Sequence, residues 1–215
     1  RRRMHLMRKR SELIAHIRNT NTQYNLPEIG KNIRKKSERE LLCERFRDES
    51  VRKSIGLDLA LIEFYDDQLG KVEWFIKKSA KQHDYESHML LQSVPGIGDL
   101  LSLVILYETG DINRFKAVQD FASYARLVKC KAESGGRTYG SSGAKIGNAH
   151  LKWAFSEAAV LFLRGNPDAQ KWLERKTKRH GKAKALSILA HKIGRAVYFI
   201  LKRKKAYDDV KFLAA

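Results

Sequence analysis

The chain has 215 residues, of which 43 are Lys or Arg and 24 are Asp or Glu, so its formal net charge is +19. Hydrophobic residues make up 43% of the sequence, enough to bury a core in water. No apolar run approaches the roughly 18 residues that span a bilayer, which excludes a membrane protein and favours the cytoplasm. Cys43 and Cys130 lie far apart, which argues against a disulfide framework and a structural zinc site.

This positive charge predicts a polyanionic partner. Each Lys or Arg that meets a phosphate releases condensed counterions and adds salt-sensitive affinity. Nucleic acid is therefore the expected partner, and no membrane partner is expected. The alternative is a basic surface that serves only solubility.

Helical patterns dominate the first third of the chain. Apolar residues at helical spacing predict an amphipathic helix over 4–18, and a run of Asn, Thr, Pro and Gly predicts a loop over 19–36. A charged helix is expected over 37–48. A longer helix follows over 50–84.

The long helix carries a seven-residue apolar repeat. Ile55, Ile62, Leu69 and Ile76 recur at that spacing, which is typical of a coiled coil. An ordinary bundle helix explains three heptads equally well. In either case the helix needs a partner, which could be the first helix of the same chain or a second subunit.

The composition changes near residue 85, where apolar residues replace charged ones. We place a domain boundary there, with a coiled-coil or helical linker region at 1–85 and a compact domain at 86–215. The predicted fold is all-α, that is, mainly helical. The exception is a Gly/Ser-rich loop at 128–147, for which short strands at the edges are one option and a loop without strands is the other. Helices are expected in the second domain over 99–109, 116–127, 148–164, 167–180 and 183–204.

The segment 94–98 reads Val-Pro-Gly-Ile-Gly between two apolar helices, the pattern of a helix-hairpin-helix motif. In such a motif, glycines let the backbone approach a phosphate, and the free amides of the next helix meet the anion. We expect Gly96, Ile97 and Gly98 to contact the nucleic-acid backbone. The alternative is a plain tight turn.

The Gly/Ser-rich loop combines small residues, hydroxyl groups and positive charge. Such a loop can hold a phosphate near a nucleophile, although it lacks the Gly-Lys-Ser/Thr of a Walker loop. An exposed loop that binds nucleic acid without catalysis fits the residues equally well. The candidate contacts here are Lys129, Lys131, Arg137, Lys145 and Asn148.

The C-terminal part is strongly basic. Residues 175–205 contain twelve Lys or Arg and no acidic residue, which is more than a solvated helix face usually holds. The candidate nucleic-acid contacts in this part are Lys182, Lys184, Lys192 and Arg195.

Metal-binding patterns are missing from the sequence. The seven histidines form no His-x-x-x-His or His-Glu-x-x-His spacing, and no carboxylate cluster suggests a two-metal site. No cofactor is therefore expected within this chain.

Several ordered motifs resemble one family. These are the segments 94–98, 108–115 (Glu-Thr-Gly-Asp-Ile-Asn-Arg-Phe), 121–127 (Phe-Ala-Ser-Tyr-Ala-Arg-Leu), 145–148 (Lys-Ile-Gly-Asn) and 151–154 (Leu-Lys-Trp-Ala). Together they look like the C-terminal domain of the bridge-RNA-guided insertion-sequence transposases, insertion-sequence family 110 with its 1111 branch. The resemblance covers about residues 90–201, and the preceding helices are similar to the family's coiled-coil linker.

The resemblance implies a DNA recombinase in the bacterial cytoplasm, associated with the nucleoid. Family members join a RuvC-like domain, whose Asp-Glu-Asp-Asp site takes Mg²⁺, to a domain that supplies a serine nucleophile. The two form a composite site across the subunits of a dimer or tetramer, and an element-encoded guide RNA pairs with the DNA. The family serine falls on Ser134, with Ser141 and Ser142 as alternatives.

The resemblance also implies a limit on activity. We expect this chain to lack the RuvC-like domain, which the family carries on the N-terminal side and which would lie upstream of Arg1, so this chain alone is expected not to cleave DNA. Two other classes compete with a recombinase: a non-catalytic nucleic-acid-binding helix-hairpin-helix module, and an oligomerisation module built on the heptads.

Overall fold

The computed structural model describes residues 1–30, 33, 37, 39, 41–128, 131–141, 146–209 and 212, and for residues 81, 131–134 and 138–141 it describes the backbone alone. The described part is mainly helical, which confirms the predicted fold class. Its elements are α1 (Arg2–Gln23), α2 (Glu49–His83), α3 (Tyr85–Gln92), α4 (Asp99–Thr109), α5 (Val118–Tyr124), β1 (Lys131–Ser134), β2 (Arg137–Ser141), α6 (Ala149–Phe162), α7 (Pro167–His180) and α8 (Lys182–Arg203). No described helix has the length and apolarity to cross a membrane.

The chain divides into two compact units, Arg1–Lys78 and Ser79–Ala215, and the division falls within α2. In the first unit, α1 and α2 are antiparallel. Three contacts between a basic and an acidic side chain join them, each 2.5 Å long. The residue numbers of the α2 partners decrease as those of the α1 partners increase, as expected for antiparallel helices. The pairs are Arg3–Glu73, Arg10–Asp66 and His16–Asp58.

The first two heptad residues of α2 pack with α1 of the same chain. Ile55 and Ile62 are fully buried in one cluster with Ile14 and Ile17 of α1. Packing of apolar stripes removes both helices from water, which is the main source of helix stability in proteins. The partner of α2 within this unit is therefore α1.

Two predicted boundaries in this unit were wrong. Helix α1 runs on to Gln23, so the polar residues after 18 extend the helix instead of ending it. The described part of 37–48 contains only a short 3-10 helix, Cys43–Arg45. Here tertiary contacts outweigh helix propensity, since Phe46 is buried and Arg39 donates to the Ile33 carbonyl (3.0 Å) and to Asp66 (2.7 Å).

In the second unit, α8 packs against α3, α5, α6 and α7. Leu189, Ile193 and Val197 form its buried face. Helix α5 contributes Phe121, whose ring lies about 6 Å from those of Phe155 and Tyr198. One apolar core thus fixes the ends of the helices, from which the loops of interest emerge.

The Gly-rich stretch contains a β-hairpin. Strands β1 and β2 are antiparallel and are joined by Gly135 and Gly136, whose φ angles are +58° and +74°. A two-residue hairpin turn with both central residues at positive φ matches the twist of the strands, and glycine adopts it without strain. The glycines that argue against a helix in this stretch therefore build a tight turn.

Candidate nucleic-acid interface

Ser134, the predicted nucleophile, is the last residue of β1 and directly precedes the two-glycine turn. In the strand register it pairs with Arg137, the first residue of β2, and Arg137 is exposed. The tight turn thus brings a hydroxyl-bearing residue and a cation-bearing residue together at the tip of the hairpin.

Other candidates of this loop fall outside what the structure describes. Lys129, Lys145 and Ser142 lie outside the described residues, and for Lys131 and Ser141 only the backbone is described. Their roles stay predictions.

Asn148 lies where the loop ends and α6 begins, and it is only 6% exposed. Its side-chain oxygen accepts hydrogen bonds from the backbone N–H groups of His150 (2.9 Å) and Leu151 (3.1 Å), which caps α6. Its Nδ2 donates to Glu108 Oε2 at 2.7 Å and to Tyr124 Oη at 3.3 Å. Asn148 thus joins three helices, and this buried position is that of a structural anchor.

Tyr124 and Arg114 extend this anchor. The hydrogen bond from Asn148, together with one from Arg114, lowers the pKa of the Tyr124 hydroxyl. The Arg114 guanidinium lies 4.5 Å from the ring centres of both Phe115 and Tyr124. Sequence reasoning missed the contribution of these residues, although Tyr124, Glu108 and Arg114 all lie within the motifs that carry the resemblance.

The backbone just before Asn148 is held just as closely. Arg126 Nε donates to the carbonyls of Ile146 (2.9 Å) and Gly147 (3.1 Å), and Asn148 N donates to the Tyr124 carbonyl (2.6 Å). Gly147 has φ +91°, and a Cβ there would lie 2.5 Å from the backbone carbonyl oxygen of Tyr124. Only glycine fits this approach.

The turn between α3 and α4 contains the predicted phosphate contacts. Ile97 is 2% exposed, so its side chain belongs to the core. Gly96 has φ +84°, and a Cβ there would lie 2.5 Å from the backbone nitrogen of Phe162, which gives this glycine a packing role. A Cβ added to Gly98, the N-cap of α4, would have no neighbour within 4 Å, so the backbone of Gly98 is the open part of the turn.

A partly buried polar network supports this turn. Ser102 Oγ lies 3.0 Å from His88 Nδ1, and Gln92 Nε2 lies 3.1 Å from His88 Nε2 and donates to Asp99 Oδ1 at 2.6 Å. Ser102 is fully buried and unable to meet a substrate. The network therefore connects α3 to α4.

The C-terminal cations occupy different environments. Lys182 and Lys184 are exposed in the first turn of α8. Arg195 is half-buried beside His191. Burial of His191 and the charge of Arg195 lower the pKa of His191. Lys192 differs, because its Nζ is buried and lies 5.3 Å and 5.0 Å from the ring centres of Trp172 and Phe212. Burial lowers the pKa of Lys192, and the structure places it in the aromatic core.

No three His, Cys, Asp or Glu side chains converge on a possible metal position within the described part of the chain. The candidate interface is therefore made of cations, hydroxyls and backbone amides.

Comparison with known proteins relates this geometry to a family. Residues 88–174 match the family described as transposase IS116/IS110/IS902 family. This segment contains the α3–α4 turn, the β-hairpin and the Asn148 anchor.

Three relatives are similar over part of their length. The transposase for insertion sequence element IS1111A of Coxiella burnetii is 29% identical over 146 residues, which cover 66% of this chain and 40% of the relative. The uncharacterized 43.6 kDa protein of insertion element IS110 from Streptomyces coelicolor is 31% identical over 48% of this chain and 26% of its own length. The uncharacterized 44.8 kDa protein of insertion element IS116 from Streptomyces clavuligerus is 25% identical, over 55% and 30% respectively. The matched segments thus span between about a quarter and two fifths of these relatives.

Proposed function

We propose that this chain is the linker and catalytic serine portion of a DNA transposase that recombines an insertion sequence. The observation that carries the proposal is the transposase-family match over residues 88–174. The hairpin supports it, since Ser134 and Arg137 pair across a glycine turn inside that segment. The net charge of +19 supports a DNA partner.

In the proposed reaction, Ser134 Oγ loses its proton and attacks the scissile phosphorus. One P–O bond to serine forms, one P–O bond to a deoxyribose oxygen breaks, and that oxygen takes up a proton. Arg137, Lys131 and Lys145 would stabilise the charge on the phosphorane, as positioned cations do in phosphoryl transfer. A phosphodiester is exchanged for a phosphodiester, so the link to serine keeps the strand ready for rejoining.

Magnesium belongs to a RuvC-like domain in this proposal. The described residues offer no cluster that fits the ion, so no step of the serine chemistry is assigned to it. Guide RNA is proposed as a second nucleic-acid partner, because the exposed cations recognise phosphate in RNA as well as in DNA.

A homo-oligomer is also proposed. Ile55 and Ile62 pack in one cluster with residues of α1, so this end of the heptad row is not the surface for a second subunit. Helix α2 exposes another apolar row at helical spacing, formed by Leu57, Leu61, Phe64 and Phe75. This row is the candidate contact between subunits.

The test combines the chain with a RuvC-like domain, magnesium, the element-encoded RNA and labelled donor DNA. We expect a denaturation-resistant protein–DNA adduct that is lost in Ser134→Ala and kept in the matched controls Ser141→Ala and Ser142→Ala. If no variant or parent forms an adduct but all bind DNA, the chain is a non-catalytic nucleic-acid-binding module. Loss of the adduct in a control variant instead of Ser134→Ala would assign the nucleophile to that serine.

A further inference from the structure

A stripe of cations follows the solvent face of α7 and continues into α8. Helical residues at i, i+4, i+7 and i+8 share one face, and Lys171, Arg175, Lys178 and Arg179 have this spacing. All four are exposed, whereas Ala169, on the other side of α7, is buried. At 1.5 Å per residue the stripe is about 12 Å long.

The stripe turns a corner at Gly181, whose φ of +79° separates α7 from α8. Exposed Lys182 and Lys184 follow at once. We call the six cations on the two helices the α7–α8 corner: Lys171, Arg175, Lys178, Arg179, Lys182 and Lys184.

Cations at the start of α8 are in an unfavourable place. The N-terminus of a helix carries partial positive charge, and stabilising positions there normally hold acidic or capping side chains. The first turn of α8 has no acidic residue, and Gly181 provides no side-chain cap. Such a local conflict is typical of a functional surface.

Few counter-charges lie near the corner: Asp168 and Glu174 are the acidic residues of α7, and both are exposed. Lys171 lies 3.5 Å from Asp168, but no ion pair involves the other five cations in the part of the chain that the structure describes. Partial desolvation and the positive charges of Lys184, Arg179 and Lys176 lower the pKa of His180, which lies at the turn.

The position of the aromatic rings on α7 and α8 favours a duplex over a single strand as the ligand. Proteins that hold single strands stack bases on exposed aromatic rings. On α7 and α8, Trp172 and Tyr198 are buried, and Phe199 is covered by Arg203 at 4.6 Å. A cationic track without such rings can contact only phosphates, so it carries no sequence information.

We propose that the α7–α8 corner is a docking surface for the phosphate backbone of duplex DNA, separate from the Gly/Ser-rich loop. It rests on the proposed function and deepens it by assigning DNA affinity to a surface that performs no chemistry. The corner would hold DNA of any sequence while the hairpin acts on it.

The test measures binding of a 20-base-pair DNA duplex to the 215-residue chain across a range of salt concentrations. All proteins carry Ser134→Ala, so that covalent capture contributes nothing. The variants are Lys182→Gln/Lys184→Gln and Arg175→Gln/Arg179→Gln. The matched control is Arg52→Gln/Lys53→Gln, two exposed cations near the start of α2.

Each lost phosphate contact makes the slope of log affinity against log salt concentration shallower by about 0.9. Each corner variant removes two cations, so its slope should be shallower than that of the parent by about 1.8. That corresponds to about a 60-fold loss at 0.1 M salt if affinity at 1 M is unchanged. The control should keep the parent slope. NMR titration should also show that duplex DNA raises the pKa of His180, because phosphates neutralise the cations around it.

The proposal is overturned if the corner variants keep the slope of the control, or if the DNA leaves the pKa of His180 unchanged. It is also overturned if single-stranded DNA or an RNA duplex of equal length binds tenfold more tightly with the same dependence on the corner. These outcomes are independent of the adduct assay, so the nucleophile can fail while the docking surface stands, and the reverse.

Discussion

Replacing Asn148 by Asp tests the anchor beneath the Gly/Ser-rich loop. The new carboxylate can still accept from the N–H groups of His150 and Leu151, so the cap of α6 survives. The donor to Glu108 is lost, and two carboxylates meet where an amide now lies 2.7 Å from an oxygen. Hydrogen bonds to charged groups contribute about 1.5–3 kcal/mol, so Asn148→Asp should destabilise the second unit by about that amount.

Asn166 offers a matched control. It caps α7 by accepting from Ala169 N at 3.0 Å, and no carboxylate accepts from its amide among the hydrogen bonds described. Asn166→Asp should therefore change stability by less than about 0.5 kcal/mol, or increase it slightly through the helix dipole. The difference between the two variants isolates the Nδ2 donor.

Urea denaturation followed by tryptophan fluorescence provides the measurement. In a Trp74→Phe background the remaining tryptophans, Trp153 and Trp172, both report on the second unit. Close approach of two carboxylates raises the pKa of one of them in the folded state, so the loss should be larger at pH 7 than at pH 4.5. Equal midpoints for Asn148→Asp and Asn166→Asp at pH 7 would refute the role of Nδ2.

Three other contacts can be tested by single substitutions. Gly96→Ala should lower the free energy of unfolding by more than about 2 kcal/mol, because the new Cβ would clash with the Phe162 backbone at a position with positive φ. Gly98→Ala should leave the fold stable and weaken DNA binding. Equal stability of the two variants would contradict the packing role of Gly96. Asp66→Asn removes the carboxylate shared by Arg10 and Arg39 and should destabilise the first unit by about 1–3 kcal/mol. Asp67→Asn affects only exposed contacts, with Lys71 and Gln68, and should cost less than about 0.5 kcal/mol in thermal melts. The lowered pKa of His191 means that the unfolded chain takes up a proton at this residue before the folded chain does. Stability should therefore fall as pH drops through about 6.5, and His191→Gln should reduce this loss between pH 7.5 and 5.5.

The sequence could predict where apolar faces lie, because helical periodicity is written in local spacing. The helices around Phe121, Leu151 and Leu189 follow that spacing, and the motifs at 94–98 and 145–148 point to the turns that border the candidate interface. Turn-forming residues led to a wrong boundary after residue 18, since Asn and Thr tolerate a last helical turn when neighbouring contacts support it.

Partner choice required the tertiary structure. The heptad row of Ile55 and Ile62 shows that α2 must pack on something, but spacing alone does not say that α1 lies there; the ion pairs from Arg3 and Arg10 specify it. The sequence alone also does not identify the partners of Asp66. This residue looks like one more surface charge in the sequence, but in the structure its carboxylate contacts both Arg10 and Arg39.

The sequence by itself determined the net charge, the mainly helical fold class and the candidate binding and catalytic residues, since these follow from composition and local pattern. Only the tertiary structure decided what each of those residues can reach. Lys182 and Lys192 are both lysines of one basic helix, yet one is exposed at the α7–α8 corner and the other lies among aromatic rings. The physical reason is that solvent access and hydrogen-bond partners depend on residues distant in sequence, which local spacing does not encode.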